Sequence, residues 1–483
     1  MTTRLRGNPW AILAVLCLAY FMSQLDIAVL AIAIPEIVRD LDASLDQVVW
    51  ALSSYILALA ALLITAGRLG DLYGRRRIFL LGVAVFTVFS LAGGLADGPG
   101  QLIAARAVQG VGAALFVPQT MALLVEAFPP ERRGMALGIR GGVGGTAAVL
   151  GPVVGGFLVS SLDWRWVFFV NIPVGVVMLA LAAATIPATG GRKEHRLDLA
   201  GVMLATAFLL LLAFGLSQGA RYSWNGGIWA VIAAGLVLFA VFLAQQRRRQ
   251  DREPLVPFAL FRDRNFAVMN VFSVVVSLTV IGLIVVLSVT FQSVLEFGAW
   301  RAGLLLMVAS LLSVVFDPVA GKLSEKVEGR HLLLFGMAAT VAGLLWTFTQ
   351  TRSEAGWAGL VAPMVVIGIG NAFLFTPLAT VALHRVRPES AGGAAGVLVT
   401  SMQVGSMVGT AVMGAVLREG SGTAPTVDTI RDVLLLLVGT AAVGAVICLA
   451  AERSSTPADT APPAEGTPPV GTAPAVRQSE DAA

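Results

Sequence analysis

Charge is scarce in this chain of 483 residues: 13% are Asp, Glu, Lys or Arg and 57% are hydrophobic, whereas soluble domains carry about 25% charged residues. A soluble fold of this length lacks the polar surface to shield so much apolar area. Cysteine is nearly absent: Cys17 and Cys448 sit in separate apolar runs, which argues against a disulfide framework or a thiolate zinc site. The three histidines, His195, His331 and His384, lie in or beside polar connections and at no metal-ligand spacing, so metal-assisted chemistry is not expected. No Gly-x-x-x-x-Gly-Lys-Ser/Thr phosphate loop occurs, which disfavours ATP-driven work by this chain. With no catalytic cluster and no folded soluble domain legible, the chain is not expected to be an enzyme.

What is present in abundance is long apolar runs, the mark of bilayer spans. Fourteen windows qualify, near 10–34, 47–67, 78–96, 101–124, 134–159, 166–187, 199–217, 227–244, 266–291, 302–320, 331–349, 357–383, 391–417 and 433–451. The few charges report topology. Of 33 Lys and Arg, 24 fall in segments on the N-terminal side of the spans, seven in the opposite loops, and Arg106 and Arg140 within spans. That bias predicts cytoplasmic N- and C-termini and a cytoplasmic (inner) membrane location. It also accounts for the net charge of +4 without nucleic acid as a partner. The first span is about 24 residues long and lacks a small-residue cleavage site, so it is expected to remain as an anchor.

An internal repeat divides the chain. Gly67, Arg68, Leu69 and Asp71, followed by Gly74 and Arg75, return as Gly321, Lys322, Leu323 and Glu325, followed by Gly329 and Arg330. Both copies fall between the second and third spans of a six-span block if two spans are counted as an insert. The predicted organisation is a six-helix bundle over 1–188, a two-helix insert with a cytoplasmic linker over 189–253, a second six-helix bundle over 254–453, and a disordered cytoplasmic tail over 454–483. Parallel repeats of this kind place a central site between two halves that rock. The charged run Gln245 to Arg252 reads either as a hinge or as plain positive-inside anchoring.

The loop Gly67, Asp71, Gly74, Arg75, Arg76, Arg77 combines glycines for tight turning with charges suited to neighbouring helix ends. With the fourteen-span parse, it resembles the signature loop of the major facilitator superfamily, in its fourteen-span drug:proton antiporter subgroup. Four further stretches are similar to that family: Leu25-Asp26 through Pro35, Arg106 with Gln109, Gly110 and Gly112, Gly151-Pro152 with Gly155-Gly156, and Asp163-Trp164-Arg165 through Asn171 and Pro173. The resemblance covers about residues 10–450. It implies an all-α major facilitator fold of 14 transmembrane helices arranged as 6+2+6. It also implies multidrug efflux by alternating access, driven by the proton gradient with no cofactor, of small amphipathic compounds such as antibiotics. Protons and membrane lipid are the other expected partners, and no obligate protein partner is evident.

Asp26 is the only carboxylate in the first span, and an ionisable group in a membrane is a functional candidate by default. Helix rise puts it about 12 Å from the outer end of its span and Arg106 about 8 Å into span four, so the two can interact. The pair either orders the bundle or carries a proton-sensitive carboxylate; the resemblance implies proton coupling. The glycines of span five allow close helix packing, and the resemblance marks Gly151, Pro152, Gly155 and Gly156 as an exporter signature. Arg140 either snorkels to the interface or lines the cavity, where it would disfavour cationic substrates. Gln24, Gln119, Gln292, Asn371 and Gln403 are candidates for the substrate cavity, each equally readable, like Asn270, as a helix-packing hydrogen bonder. Asp317, before Pro318, reads as an interfacial cap or as a second carboxylate for cationic cargo. The competing functions are export of one endogenous metabolite, antibiotic or lipid, uptake, and a membrane protein without transport.

Overall fold

The computed structural model describes residues 6–188, 198–219, 221–250, 254–291, 295, 297, 299–352, 356–419 and 427–451. The predicted tail and Gln292 lie outside them. The first set of helices comprises α1 (Pro9–Asp40), α2 (Leu45–Tyr73), α3 (Arg75–Gly94), α4 (Pro99–Ala127), α5 (Pro130–Ser161), α6 (Trp166–Phe169) and α7 (Asn171–Thr185). Then come α8 (Leu199–Gln218) and α9 (Gly226–Arg248), and finally α10 (Arg264–Val289), α11 (Ala299–Leu323), α12 (Gly329–Arg352), α13 (Val361–Leu383), α14 (Ala391–Glu419) and α15 (Val427–Leu449). No strand occurs among the described residues.

The starts of these helices follow capping chemistry. Asn8 Oδ1 accepts from Trp10 N–H, with Pro9 at the first helical position, and Ser44 with Gln47 forms a reciprocal capping box. Thirteen helical segments of the described residues are long and apolar enough to cross a membrane. The fifth crossing of the sequence reading is α5, 32 residues long. The sixth runs as one crossing, Trp166–Thr185; Val170, itself in the helical region, separates α6 from α7, where Pro173 has no N–H to give the Phe169 carbonyl one turn earlier.

Within the first set, α4 packs against α2 and α3 through edge-to-face rings: Tyr55 on Phe86, and Phe79 and Phe86 on Phe116. The two sets meet along α2 with α14 and along α5 with α11. The pair α8–α9 lies against α2 and α14, with Trp50 of α2 stacked on Phe214 of α8, so it covers the α2–α14 seam. Its lower end is fastened. Asp198 caps Gly201 N–H at the start of α8 and accepts from Gln245, Gln246 and Arg249 of the α9 end. Gln246 also accepts from Val256 N–H, and Gln250 from Phe258 N–H. The described part of the charged run is thus a tied junction, with Leu255 and Val256 buried beyond it.

Candidate functional site

The first polar cluster lies inside the first set. Arg106 on α4 reaches Asp26 on α1, Nη1 to Oδ2 2.5 Å, and both side chains are fully buried. Arg106 Nη1 also donates to Gln109 Oε1 at 2.7 Å. Asp26 Oδ1 accepts from Gln109 Nε2 at 3.0 Å and from Asn171 Nδ2 at 2.9 Å. Asn171 continues to Ser90 Oγ, whose hydroxyl donates to Phe168 O. The guanidinium carbon of Arg106 stands 4.2 Å from the Tyr55 ring centroid, a cation–π contact facing the part of the guanidinium that has no hydrogen-bond partner. Three donors therefore converge on one fully buried carboxylate, whose charge is compensated, among the described residues, by Arg106 alone.

Asp26 and Arg106 stood out in the sequence as charges in apolar runs. Gln109 and Asn171 lie in stretches that resemble the family, and Gln109 stands three residues after Arg106 on the same helix face, but nothing in the sequence pairs either amide with Asp26.

The second constellation joins the two sets at the face that carries the N-terminus. Gly74 has φ +96°, a left-handed conformation that a side chain would strain, and it turns the chain sharply from α2 into α3. Just before it, Asp71 accepts from the N–H groups of Gly392 and Gly393, at 2.9 and 2.7 Å, at the start of α14. Asp71 is also held by Arg75 (2.8 Å), which bridges to Glu126 of α4 (3.0 Å). Arg76 donates to Ala183 O at the end of α7. The repeat makes a reciprocal contact: Glu325 accepts from Met135 N–H at 2.9 Å, in the second turn of α5. Asp71 thus sits at the N-terminus of α14, where the exposed N–H groups and the helix dipole favour a negative charge, whereas Glu325 reaches α5 one turn further in.

Glycines make those approaches possible. A Cβ on Gly67 would collide with Gly392 O, and one on Gly321 with Gly134 O. On the exporter-like stretch, Gly151 and Gly155 face Ala28 and Val29 of α1, whereas Gly156 faces open space. Pro152 lies in the same helix, with its side chain outside the described residues.

The remaining candidates separate. Gln119 is fully buried and donates to Ala66 O at 2.7 Å, linking α4 to α2. Arg140 does not snorkel: it is buried, donates to Thr120 Oγ1 at 3.0 Å and stacks 3.7 Å from the Tyr20 ring centroid. Gln403 lines, with Leu209, Leu212 and Leu216 of α8, a narrow crevice beneath the insert. Asn270 ties α10 to α14 through Ser401. Gln24 and Asn371 are half-buried, and Asn371 Oδ1 has no partner among the described residues. Asp317 is not an interfacial cap; it is buried where α11 faces Gly138 and Gly141 of α5.

Comparison with known proteins gives a consistent result. A family model described as Major Facilitator Superfamily matches residues 16–410 and 301–477. An uncharacterized MFS-type transporter of Mycobacterium tuberculosis is 39% identical over 408 residues, covering 84% of this chain and 70% of that protein. The tetracenomycin C resistance and export protein of Streptomyces glaucescens is 34% identical over 422 residues, covering 86% of this chain and 78% of that protein. Among solved structures, the human organic anion transporter MFSD10 superposes with a TM-score of 0.65 at 14% identity, covering 91% of this chain and 99% of that one.

Proposed function

Because the chain belongs to the major facilitator superfamily and is a multi-pass membrane protein, we propose that it exports small amphipathic organic compounds across the cytoplasmic membrane in exchange for protons. Both termini are cytoplasmic in this reading, which places the two helix-end latches on the cytoplasmic face and makes the described conformation one that is closed on that side. The energy source is the proton gradient, with no cofactor.

The observation that carries the reading is the surround of Asp26: Arg106, Gln109 and Asn171 all donate to it. All three contacts are donors to the carboxylate oxygens, so the arrangement is built around Asp26 as a hydrogen-bond acceptor. A proton entering from outside makes an O–H bond on Asp26, removes the charge that holds Arg106, and frees α1 to shift against α4 and α7. Release of that proton on the other side resets the pair. Coupling arises if the two arrangements favour opposite openings of the central site.

The test uses proteoliposomes with an imposed pH gradient and a panel of cationic, neutral and anionic fluorescent compounds. Substrate-dependent proton flux is expected in the parent protein and lost in Asp26→Asn while insertion is retained; coupled flux surviving in Asp26→Asn would remove Asp26 from the mechanism. One relative is named for a single compound, which favours a second reading, a dedicated exporter of one metabolite, antibiotic or lipid. The resistance profile of a knockout separates the two: a broad shift supports the first, a single-compound shift the second.

A further inference from the structure

One buried carboxylate is left unused by the Asp26 mechanism. Asp317 sits on α11 six residues before its end at Leu323, about 9 Å into the helix by its rise. Its side chain belongs to a residue only 8% exposed. Its hydrogen-bond partner among the described residues is Thr376 Oγ1 of α13, at 3.5 Å, the limit of a useful bond.

Across the seam, α5 presents glycines. A Cβ on Gly138 would stand 2.5 Å from Asp317 O, and one on Gly141 3.2 Å from Asp317 Oδ2, so the closed seam leaves no room for a side chain that could bring a counter-charge.

Among the described residues no neighbouring helix supplies one from elsewhere. On α5, Glu131 and Arg132 are exposed in the first turn, Arg140 turns the other way, to Tyr20 and Thr120, and Arg133 donates to Phe128 O. α13 contains no ionisable residue, α10 only Arg264 at its start, and α11 otherwise only Arg301 and Lys322, near its two ends. An ionised carboxylate buried without a cation costs several kcal/mol, so the closed seam is compatible with the neutral acid and not with the charged one. Parting α5 from α11 would admit water and reverse that preference. The helix is built to allow it, because Pro318 gives no N–H to the Val314 carbonyl one turn earlier, and that carbonyl faces Gly142.

We propose that Asp317 is a second proton-binding site, which takes up a proton as the α5–α11 seam closes and releases it to vestibule water on the cytoplasmic side as the seam parts. The carboxyl O–H bond breaks on opening, its proton passing to water, and re-forms on closing. This deepens the alternating-access reading and rests on it, but not on Asp26 being the coupling group.

The test is a distance measurement by double electron–electron resonance between spin labels on Arg132→Cys and Lys322→Cys, both exposed positions, in lipid nanodiscs. Raising the pH from about 6 to about 8.5 should populate a longer distance in the parent protein, by linkage of proton release to opening. Asp317→Asn should lose that response, Asp317→Glu should keep it, and Asp26→Asn should keep it too. A response retained in Asp317→Asn, or abolished by Asp26→Asn alone, overturns the proposal. So that nothing depends on a variant folding, dicyclohexylcarbodiimide, which adds to protonated carboxyls in apolar surroundings, is applied to the parent protein and the adducts are read by peptide mass spectrometry. Modification of Asp317 that is present at the lower pH and lost at the higher supports the site; no adduct at either pH, or equal adduct at both, overturns it. Substrate–proton exchange measured in parallel keeps the readings apart: exchange lost with the seam response intact counts against the proposed function, and exchange intact with no seam response counts against Asp317.

Discussion

Asp26 is surrounded by donors, and the consequence is an asymmetry in what its removal and its partner's removal cost. Arg106→Ala leaves a buried charge with only two amides, and breaking a buried pair from one side costs about 3–5 kcal/mol. The double change Asp26→Asn with Arg106→Gln removes both charges at once and is expected to cost much less. Thermal unfolding in detergent should therefore rank the double variant above Arg106→Ala; the reverse order would mean that the unpaired charge of Asp26 is not the main cost of losing Arg106. Asp198 makes a second case at the same scale. Burial pushes its carboxyl up, but hydrogen bonds from Gln245, Gly201 N–H and Gln246 and the charge of Arg249 outweigh it and hold it below the usual range. A lowered carboxyl contributes stability that is present above its unfolded value, about 3.9, and is lost as pH falls through the folded value. Asp198→Ala should thus lower the melting temperature equally at about pH 6 and about pH 8, with the gap narrowing only below about pH 4. An isolated charge in an apolar run is conspicuous in a sequence, which is why Asp26 and Arg106 could be paired from spacing alone. Asp198 could not, since its partners lie 47 to 51 residues away and meet it only when α8 and α9 pair.

At the scale of the helix, α5 shows what a sequence motif conceals. Gly151, Pro152, Gly155 and Gly156 read as one signature, but the fold splits it: Gly151 and Gly155 are pressed on α1 and Gly156 is not. Gly155→Val should overpack the α1 contact at a cost of about 1–3 kcal/mol, whereas Gly156→Val should stay within about 0.5 kcal/mol. Melting temperature and the yield of monodisperse protein check both, and equal losses would mean that α5 turns a different face to α1. The crossings themselves were legible because long apolar runs need no partner to be recognised. Which side of each helix faces inward was not, because membrane helices are apolar all round and their pattern carries no stripe. That is why the sequence grouped Gln119, Arg140 and Gln403 together as polar residues in spans without separating their contacts, which run to Ala66 of α2, to Tyr20 and to the crevice under α8.

For the whole molecule, the repeat is an exchange of latches: the first set's Asp71 holds α14 of the second, and the second set's Glu325 holds α5 of the first. The two are unequal. Asp71 accepts two N–H groups and is backed by Arg75 and Glu126, whereas Glu325 accepts the single N–H of Met135. If the latches only cap helices, removing one should loosen only the helix it caps. If instead they hold one closed state of the molecule, removing either should loosen both, because the seams at α2–α14 and α5–α11 must part together when the two sets rock. Hydrogen–deuterium exchange in nanodiscs decides between these. Asp71→Asn should raise exchange at residues 391–396 and also at 134–138, and Glu325→Gln should do the same to a smaller extent. A charge at a helix N-terminus contributes up to about 2 kcal/mol when partly buried, so the larger increase should reach at most about thirtyfold, since about 1.4 kcal/mol is a factor of ten. An increase confined to the capped helix would reduce the loops to local caps. A rise at both would show that the two carboxylates act on a single equilibrium, the one in which proton release and substrate access are exchanged.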